Sequence, residues 1–103
     1  LAGLDGIIAL LEKARSLAIN NIEASAYGVS FTGDPDYLMI YKGTTYGGSH
    51  VYWIRKNEAS AYDFSACPAG EITFAQLSGN TTGCQVTVSG RTVTINNEGG
   101  INY

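Results

Sequence analysis

The sequence predicts an α+β fold in which one long N-terminal helix packs on an antiparallel β-sheet. Through residues 1–27, apolar side chains recur at steps of three and four, the period of a helix with one buried face. Residues 28–103 consist instead of short runs of strand-forming residues separated by turns rich in Gly, Asn and Ser. Because 103 residues are enough for one hydrophobic core, we predict a single domain with a helix over 1–27 and a β-rich head over 28–103.

The predicted helix carries a continuous apolar stripe and ends before Gly28, a residue able to adopt the left-handed conformation that commonly closes a helix. Most of the stripe is expected to cover the sheet. An N-terminal end this apolar is unusual for a self-contained monomer, because exposed apolar surface tends to mark an interface. The stripe consists of Leu4, Ile7, Ile8, Leu11, Ala14, Ala18 and Ile22. We predict an assembly surface at the free end, formed by Leu1, Leu4, Ile7, Ile8 and Leu11.

The clearest predicted β-structure is the last hairpin. Residues 85–88 and 92–95 alternate between apolar and polar with period two, and Gly90 between them suits a tight turn that needs positive φ. We expect its valines and isoleucine to face the helix and its threonines to face water. Further strands are predicted over residues 29–31, 37–42, 51–55, 62–64 and 72–77.

Composition and charge argue against several functional classes. Charged residues make up 15% of the chain, against about 25% in an average soluble protein, and this low value is typical of an exported β-rich protein. The formal net charge is −3, and no run of Lys or Arg is present. Nucleic-acid binding is therefore disfavoured, unless the fold brings together the scattered cations Lys42, Arg55, Lys56 and Arg91.

Two cysteines, Cys67 and Cys84, are the only ones in the chain. In an exported protein such a pair most simply forms a disulfide. A structural zinc site would need more ligands, and the single histidine, His50, is remote from both cysteines in sequence.

Three passages together resemble the type IV pilin-like family, especially its minor pilins and the H-type minor pseudopilins of type II secretion systems. The helix segment Lys-Ala-Arg-Ser-Leu-Ala-Ile over residues 13–19 looks like the end of the long helix in those proteins. Residues 27–31 look like the start of their first strand, and residues 72–101 are similar to their terminal pattern of Phe, Gly and Ile. The cysteine pair departs from H-type pseudopilins and is closer to pilins that close a C-terminal loop with a disulfide.

The resemblance implies a structural subunit that catalyses nothing and needs no cofactor. Members of the family assemble with other pilin or pseudopilin subunits through the N-terminal helix, whose apolar first half anchors them in the inner membrane. The sequence begins at Leu1 within the helical pattern and without Met, so we expect that half to precede it. The expected location is the cell surface or the periplasm.

A binding module is the alternative function, because the middle of the chain is rich in aromatic residues. Aromatic rings provide large contact areas at low entropic cost. In an adhesin-like or DNA-capturing minor pilin, an exposed patch would bind the ligand. The candidate residues are Tyr46, Tyr52, Arg55 and Lys56.

Signals for catalysis or metal binding are weak. Ser49 and His50 are adjacent, but no Gly-x-Ser-x-Gly motif accompanies them, so a polar loop histidine is favoured over a hydrolase site. Asp34 and Asp36, and the cluster at residues 96–98, offer oxygen atoms to calcium. Neither has the spacing of an EF-hand loop, and turn formation explains both, so we predict no metal.

Overall fold

The computed structural model describes residues 3–103, which form one α-helix and eight β-strands. Helix α1 spans Leu4–Ile19, and 3-10 turns lie at Ile22–Ala24 and Pro68–Gly70. No helix among the described residues is long and apolar enough to cross a bilayer. The strands are β1 (Tyr27–Ser30), β2 (Tyr37–Lys42), β3 (Tyr52–Arg55), β4 (Tyr62–Asp63), β5 (Glu71–Phe74), β6 (Cys84–Val88), β7 (Arg91–Ile95) and β8 (Ile101–Asn102).

The helix is shorter than the predicted span of 1–27, because it ends at Ile19. Two asparagines follow, and the second, Asn21, adopts a left-handed conformation with φ of 55°. Asparagine tolerates this conformation, and its side chain competes for backbone hydrogen bonds, so it favours helix ends over helix interiors. The backbone N–H of Leu77 donates to the Ala18 carbonyl at 2.9 Å. A loop of the β-rich head therefore provides a hydrogen bond to a carbonyl group in the last turn of the helix.

Two residues assigned to the helix and its cap lie elsewhere. Gly28 is within strand β1 rather than at a helix end. Ile22 lies in the 3-10 turn and is 43% exposed, so the buried stripe does not extend to it. Once Asn21 changes the chain direction, the helical period no longer decides which side chains are buried.

The predicted α+β class, a helix packed on antiparallel sheet, is confirmed, and the strands are divided between two sheets. Sheet I has the order β3-β2-β1-β5 and sheet II the order β4-β6-β7-β8. All neighbouring strands are antiparallel. Helix α1 contacts β1 and β5 of sheet I and β7 and β8 of sheet II. One helix therefore covers the inner faces of both sheets.

The described members of the predicted assembly surface lie in the hydrophobic core. Leu4, Ile7, Ile8 and Leu11 are each at most 9% exposed, and they pack with the inward-facing residues of both sheets. Leu1 lies outside the described residues. The exposed apolar helix end that suggested an assembly surface is thus not present over residues 4–11. Any role of these side chains in assembly stays a prediction.

The terminal hairpin has the predicted conformation. Strands β6 and β7 pair in register from Cys84–Ile95 to Val88–Arg91, and Ser89 and Gly90 form a two-residue turn with positive φ. This is the turn geometry that suits the twist of a hairpin. Its apolar members Val86, Val88, Val93 and Ile95 are all buried.

A disulfide and a stack of aromatic rings join the two sheets. Cys67 and Cys84 form the predicted disulfide, with Cα atoms 5.1 Å apart. Cys84 begins β6 of sheet II, whereas Cys67 belongs to the segment that leads into sheet I. The ring of Phe64 stacks on Phe31, which follows β1, at 4.7 Å between centroids, and on Tyr62 of β4 at 5.3 Å. The inter-sheet junction is therefore held both covalently and by packing.

Candidate functional site

The candidate surface-binding residues do not form one patch, because side chains alternate between the two faces of β3. Tyr52 pairs with Ile40 of the core, whereas Trp53 pairs with Met39. Tyr52 therefore lies on the helix side of sheet I, and Trp53 and Arg55 lie on its outer face. Tyr52 and Arg55, two members of the predicted set, are separated by the sheet itself.

On the helix side, Tyr52 borders a small cleft between β3 and α1. The ammonium group of Lys13 lies 4.9 Å from the centroid of the Tyr52 ring, close enough for a cation–π interaction. This contact holds the exposed side of the helix against the edge of sheet I. The cleft has a volume of about 220 Å³ and is lined by Gly6, Ala9, Leu10, Lys13, Tyr52 and Ile54.

On the outer face, the loop of residues 43–50 folds back over sheet I; we call it the outer-face loop. Its Tyr46 hydroxyl donates to the Met39 sulfur at 3.7 Å, and its ring lies 6.2 Å from that of Tyr41. Although Met39 and Tyr41 point away from the helix, they are only 3% and 1% exposed. The predicted binding residue Tyr46 thus serves to cover the sheet.

Tyr41 is the centre of this covered region. Its hydroxyl hydrogen-bonds to the Thr73 hydroxyl, which in turn donates to the Thr44 carbonyl at 3.0 Å. Burial raises the pKa of Tyr41 to about 12, against the smaller opposing effect of the hydrogen bond to Thr73. A Cβ atom on Gly28 would lie 2.4 Å from the Tyr41 ring. The phenol therefore occupies the space beside Gly28 that a larger residue of the neighbouring strand would fill.

The accessible part of the outer face is a cleft beside Trp53. The Trp53 side chain is 53% exposed, and the His50 ring packs edge-on against it with centroids 4.8 Å apart. The guanidinium of Arg55 lies over the Tyr37 ring at 5.8 Å from its centroid. The cleft has a volume of about 310 Å³ and is lined by Asp34, Tyr37, Met39, His50 and Trp53.

Lys56, also predicted to bind a ligand, is engaged within the chain. Its ammonium group donates to the backbone carbonyl of Asp34 at 2.9 Å. Partial burial lowers the pKa of Lys56, and the carboxylates of Asp34 and Asp36 oppose that shift. Lys56 therefore ties the turn before β2 to the end of β3.

The four cations considered for nucleic-acid binding are not gathered into one site. Lys42 forms an ion pair with Glu23 at 3.1 Å. Arg55 pairs with Tyr37, at the opposite end of β2 from Lys42. At the rise per residue of a strand, the Cα atoms of Tyr37 and Lys42 are roughly 16 Å apart. Arg91 belongs to the hairpin of sheet II.

His50 does not form the arrangement of a hydrolase. Among the described residues no serine hydroxyl or carboxylate is hydrogen-bonded to His50, and its ring contact is with Trp53. A nucleophilic serine would need that hydrogen bond for activation.

The oxygen atoms considered for calcium are used in turns. Asp34 Oδ1 accepts hydrogen bonds from the backbone N–H groups of Asp36 and Tyr37, at 2.8 and 3.2 Å. Asn96 Oδ1 accepts hydrogen bonds from the backbone N–H groups of Glu98 and Gly100. Over residues 3–103, no three His, Cys, Asp or Glu side chains are close enough to hold a metal ion.

Sequence reasoning missed two contributions to these surfaces. The first is the outer-face loop, because nothing in its composition indicates that Tyr46 covers Tyr41. The second is Arg15, whose side chain lines a cavity between α1 and β8. Its position in the pilin-like segment of residues 13–19 was the only available signal.

Comparison with known proteins supports the fold. No protein-family model matches the sequence, and no curated protein matches it significantly. The structure is similar to the crystal structure of the type IV minor pilin FimU from Pseudomonas aeruginosa, with a TM-score of 0.66 and 22% sequence identity. The similarity covers 95% of this chain and 86% of that chain. The chain thus has the fold of a type IV minor pilin.

Proposed function

We propose that this chain is a structural subunit of a type IV pilus or of a type II secretion-like filament. The observation that carries the proposal is the similarity to a minor pilin over 95% of the chain. The match includes helix α1 as well as both sheets, so it extends to the element through which such a subunit would assemble. Its partners would be other pilin or pseudopilin subunits, and it would act at the cell surface or in the periplasm.

The exposed side of α1 provides the surface for this assembly. The apolar stripe packs on the two sheets, which leaves Asp5, Ala9 and Glu12 exposed on the opposite side of the helix. Neighbouring subunits would contact this side, while the β-rich head remains outside the filament axis.

A photoreactive amino acid at Ala9 tests the proposal in the cells from which the chain comes. We expect covalent adducts with other filament subunits, detected by mass spectrometry. The matched control places the same amino acid at Thr94, an exposed residue on the outer face of sheet II. If Ala9 yields no more adduct than Thr94, the helix is not the assembly surface.

The gene upstream of Leu1 offers a second, independent test. A short basic leader ending in Gly, followed by an apolar helix with Glu at its fifth position, would support the filament subunit. An ordinary cleavable secretion signal directly before the domain would contradict it.

A surface binding module is the second candidate function, and the exposed Trp53 beside its cleft is the observation that favours it. An exposed indole above a cleft containing a carboxylate and a histidine suits the stacking and hydrogen bonding of a sugar ring. Retention on a glycan array that is lost in Trp53→Ala and kept in Tyr52→Ala would support this function. Retention on DNA at physiological salt would instead favour DNA capture, and retention on neither would exclude the binding module.

A further inference from the structure

Arg15 occupies a position that two tight turns create for it. A Cβ atom built on Gly99 would lie 2.9 Å from Arg15 Nε, and one built on Gly79 would lie 3.4 Å from Arg15 Cγ. Both glycines have positive φ, 84° and 72° respectively. The side chain of Arg15 therefore lies against the turn before β8 and the turn after β5, and a side chain at Gly99 would crowd its Nε atom.

The guanidinium of Arg15 lacks a partner. Its Nε atom is buried, and it makes no hydrogen bond within the described residues. The ion pair found over residues 3–103 is Lys42 with Glu23, which does not involve Arg15. Buried polar groups are nearly always hydrogen-bonded, and leaving one unsatisfied is costly, most of all when it is charged. The two Nη groups of the same guanidinium also make no hydrogen bond within the described residues, but they are not buried, so an acceptor from outside the chain can reach them.

The space for an acceptor lies beside it. A cavity of about 420 Å³ lies between residues of α1 and the end of the chain near β8, the edge strand of sheet II. Arg15, Ser16 and Asn20 are its polar lining residues on the helix besides Glu12. The Asn20 amide already donates to the carbonyl and hydroxyl oxygens of Ser16, at 2.9 and 3.0 Å, which leaves the Ser16 hydroxyl able to donate to a ligand. Glu12 stands at the exposed rim and disfavours highly charged anions. The full lining is Glu12, Arg15, Ser16, Ile19, Asn20, Gly99, Gly100 and Ile101.

We propose that this cavity is a carboxylate-binding site, and that an Asp or Glu side chain of a second copy of the chain occupies it in the filament. A carboxylate matches the planar fork of a guanidinium and carries a single charge. The chain has nine acidic residues against six basic ones, and one ion pair in its described part, so a second copy offers many unpaired carboxylates. The identity of the occupant rests on the proposed filament function, whereas the carboxylate site itself does not.

Titration with sodium acetate tests the site in the isolated chain. The chain has three arginines, Arg15, Arg55 and Arg91, so each Nε–H group gives its own NMR signal. We expect acetate to move the Arg15 signal in a saturable way, and sodium chloride at equal ionic strength to leave it in place. Equal movement of all three signals, or no movement of the Arg15 signal, would overturn the proposal and leave a water-filled cavity.

Two variants sharpen this titration. Arg15→Lys keeps the charge but loses the planar fork. We therefore expect acetate to shift the backbone N–H signals of Gly99 and Gly100, which line the cavity, in a saturable way in the wild type but not in this variant. Circular dichroism checks that the variant folds. Glu12→Gln removes the repulsion at the rim, and we expect it to lower the apparent Kd for acetate roughly two- to threefold, the range for an exposed charge pair. An unchanged Kd in Glu12→Gln would show that acetate binds elsewhere.

Crosslinking in the filament tests the occupant separately. With the photoreactive residue at Ala9, we expect Arg15→Lys to reduce the adduct between two copies of the chain several-fold. The matched control, Arg91→Lys in the exposed hairpin of sheet II, should preserve it. If Arg15→Lys leaves this adduct unchanged while acetate still binds the wild-type chain, the second copy is not the source of the carboxylate. If Ala9 gives adducts but acetate does not shift the Arg15 NMR signal, the proposed filament function is retained and the carboxylate-binding site is rejected.

Discussion

Sheet I and sheet II differ in how many of their faces are covered. In β7 of sheet II, buried Val93 and Ile95 alternate with exposed threonines, as expected of an antiparallel sheet with one face in water. In β2 of sheet I, four consecutive residues from Leu38 to Tyr41 are buried, because the helix covers one face and the outer-face loop covers the other. The number of covered faces, rather than the strand itself, therefore sets the burial pattern.

The disulfide and the aromatic stack join the two sheets, so we expect disruption of this junction to have the largest effect on stability. Replacing both Cys67 and Cys84 by Ala removes a cross-link between residues 17 apart, and we expect a loss of about 3 kcal/mol in the free energy of unfolding. Urea denaturation measures this loss. Hydrogen exchange should show that both sheets lose protection together, and a loss confined to sheet II would contradict a shared junction.

The second prediction concerns close packing on the covered outer face of sheet I. Gly28→Ala would place a Cβ atom 2.4 Å from the backbone carbonyl oxygen of Ile72 and from the Tyr41 ring. Because the backbone has to move, we expect destabilisation of about 2 kcal/mol. Thr94→Val on the open face of sheet II is the matched control, with an expected change of under about 0.5 kcal/mol. Equal effects of the two substitutions would show that the covered outer face of sheet I is no more tightly packed than the open face of sheet II.

A substitution in the outer-face loop tests the same difference between the sheets, with a smaller expected loss of stability. Tyr46→Ala deletes the ring that lies over Met39 and Tyr41, and we expect a loss of about 1 kcal/mol in urea denaturation. The pKa of Tyr41 should fall toward the ordinary tyrosine value as water reaches it. If the pKa of Tyr41 does not change, some other group shields it.

The smallest effect appears only at alkaline pH. The pKa of Tyr41 is raised to about 12 in the folded chain and is about 10 in an unfolded one, so unfolding favours loss of the proton. Stability is therefore fully retained below pH of about 10 and decreases as the pH rises toward 12. Urea midpoints measured across this range should fall in the wild type, and Tyr41→Phe should flatten that decline. An equal decline in both would assign it to other groups.

Local patterns determined much of the fold. The period of the apolar stripe predicted helix α1 and most of its buried residues, although it included the exposed Ile22 and left out the buried Leu10. The alternation around Gly90 predicted the terminal hairpin with its turn. The cysteine pair gave the disulfide. These features depend on residues close in sequence, or on a pairing with a single solution, and so they can be inferred without knowing the tertiary structure.

The tertiary structure alone decided where the helix ends, how the strands divide into two sheets, and which aromatic residues remain accessible. Asn21 ends the helix together with a loop that is distant in sequence, and β8 is too short to carry a pattern of its own. Tyr46 and Tyr52 look alike in sequence, yet one covers the outer face of sheet I and the other lies on its helix side. The Nε atom of Arg15 is buried where turns from two distant parts of the chain pack against its side chain. Each of these outcomes depends on contacts between distant segments, which a local sequence pattern does not encode.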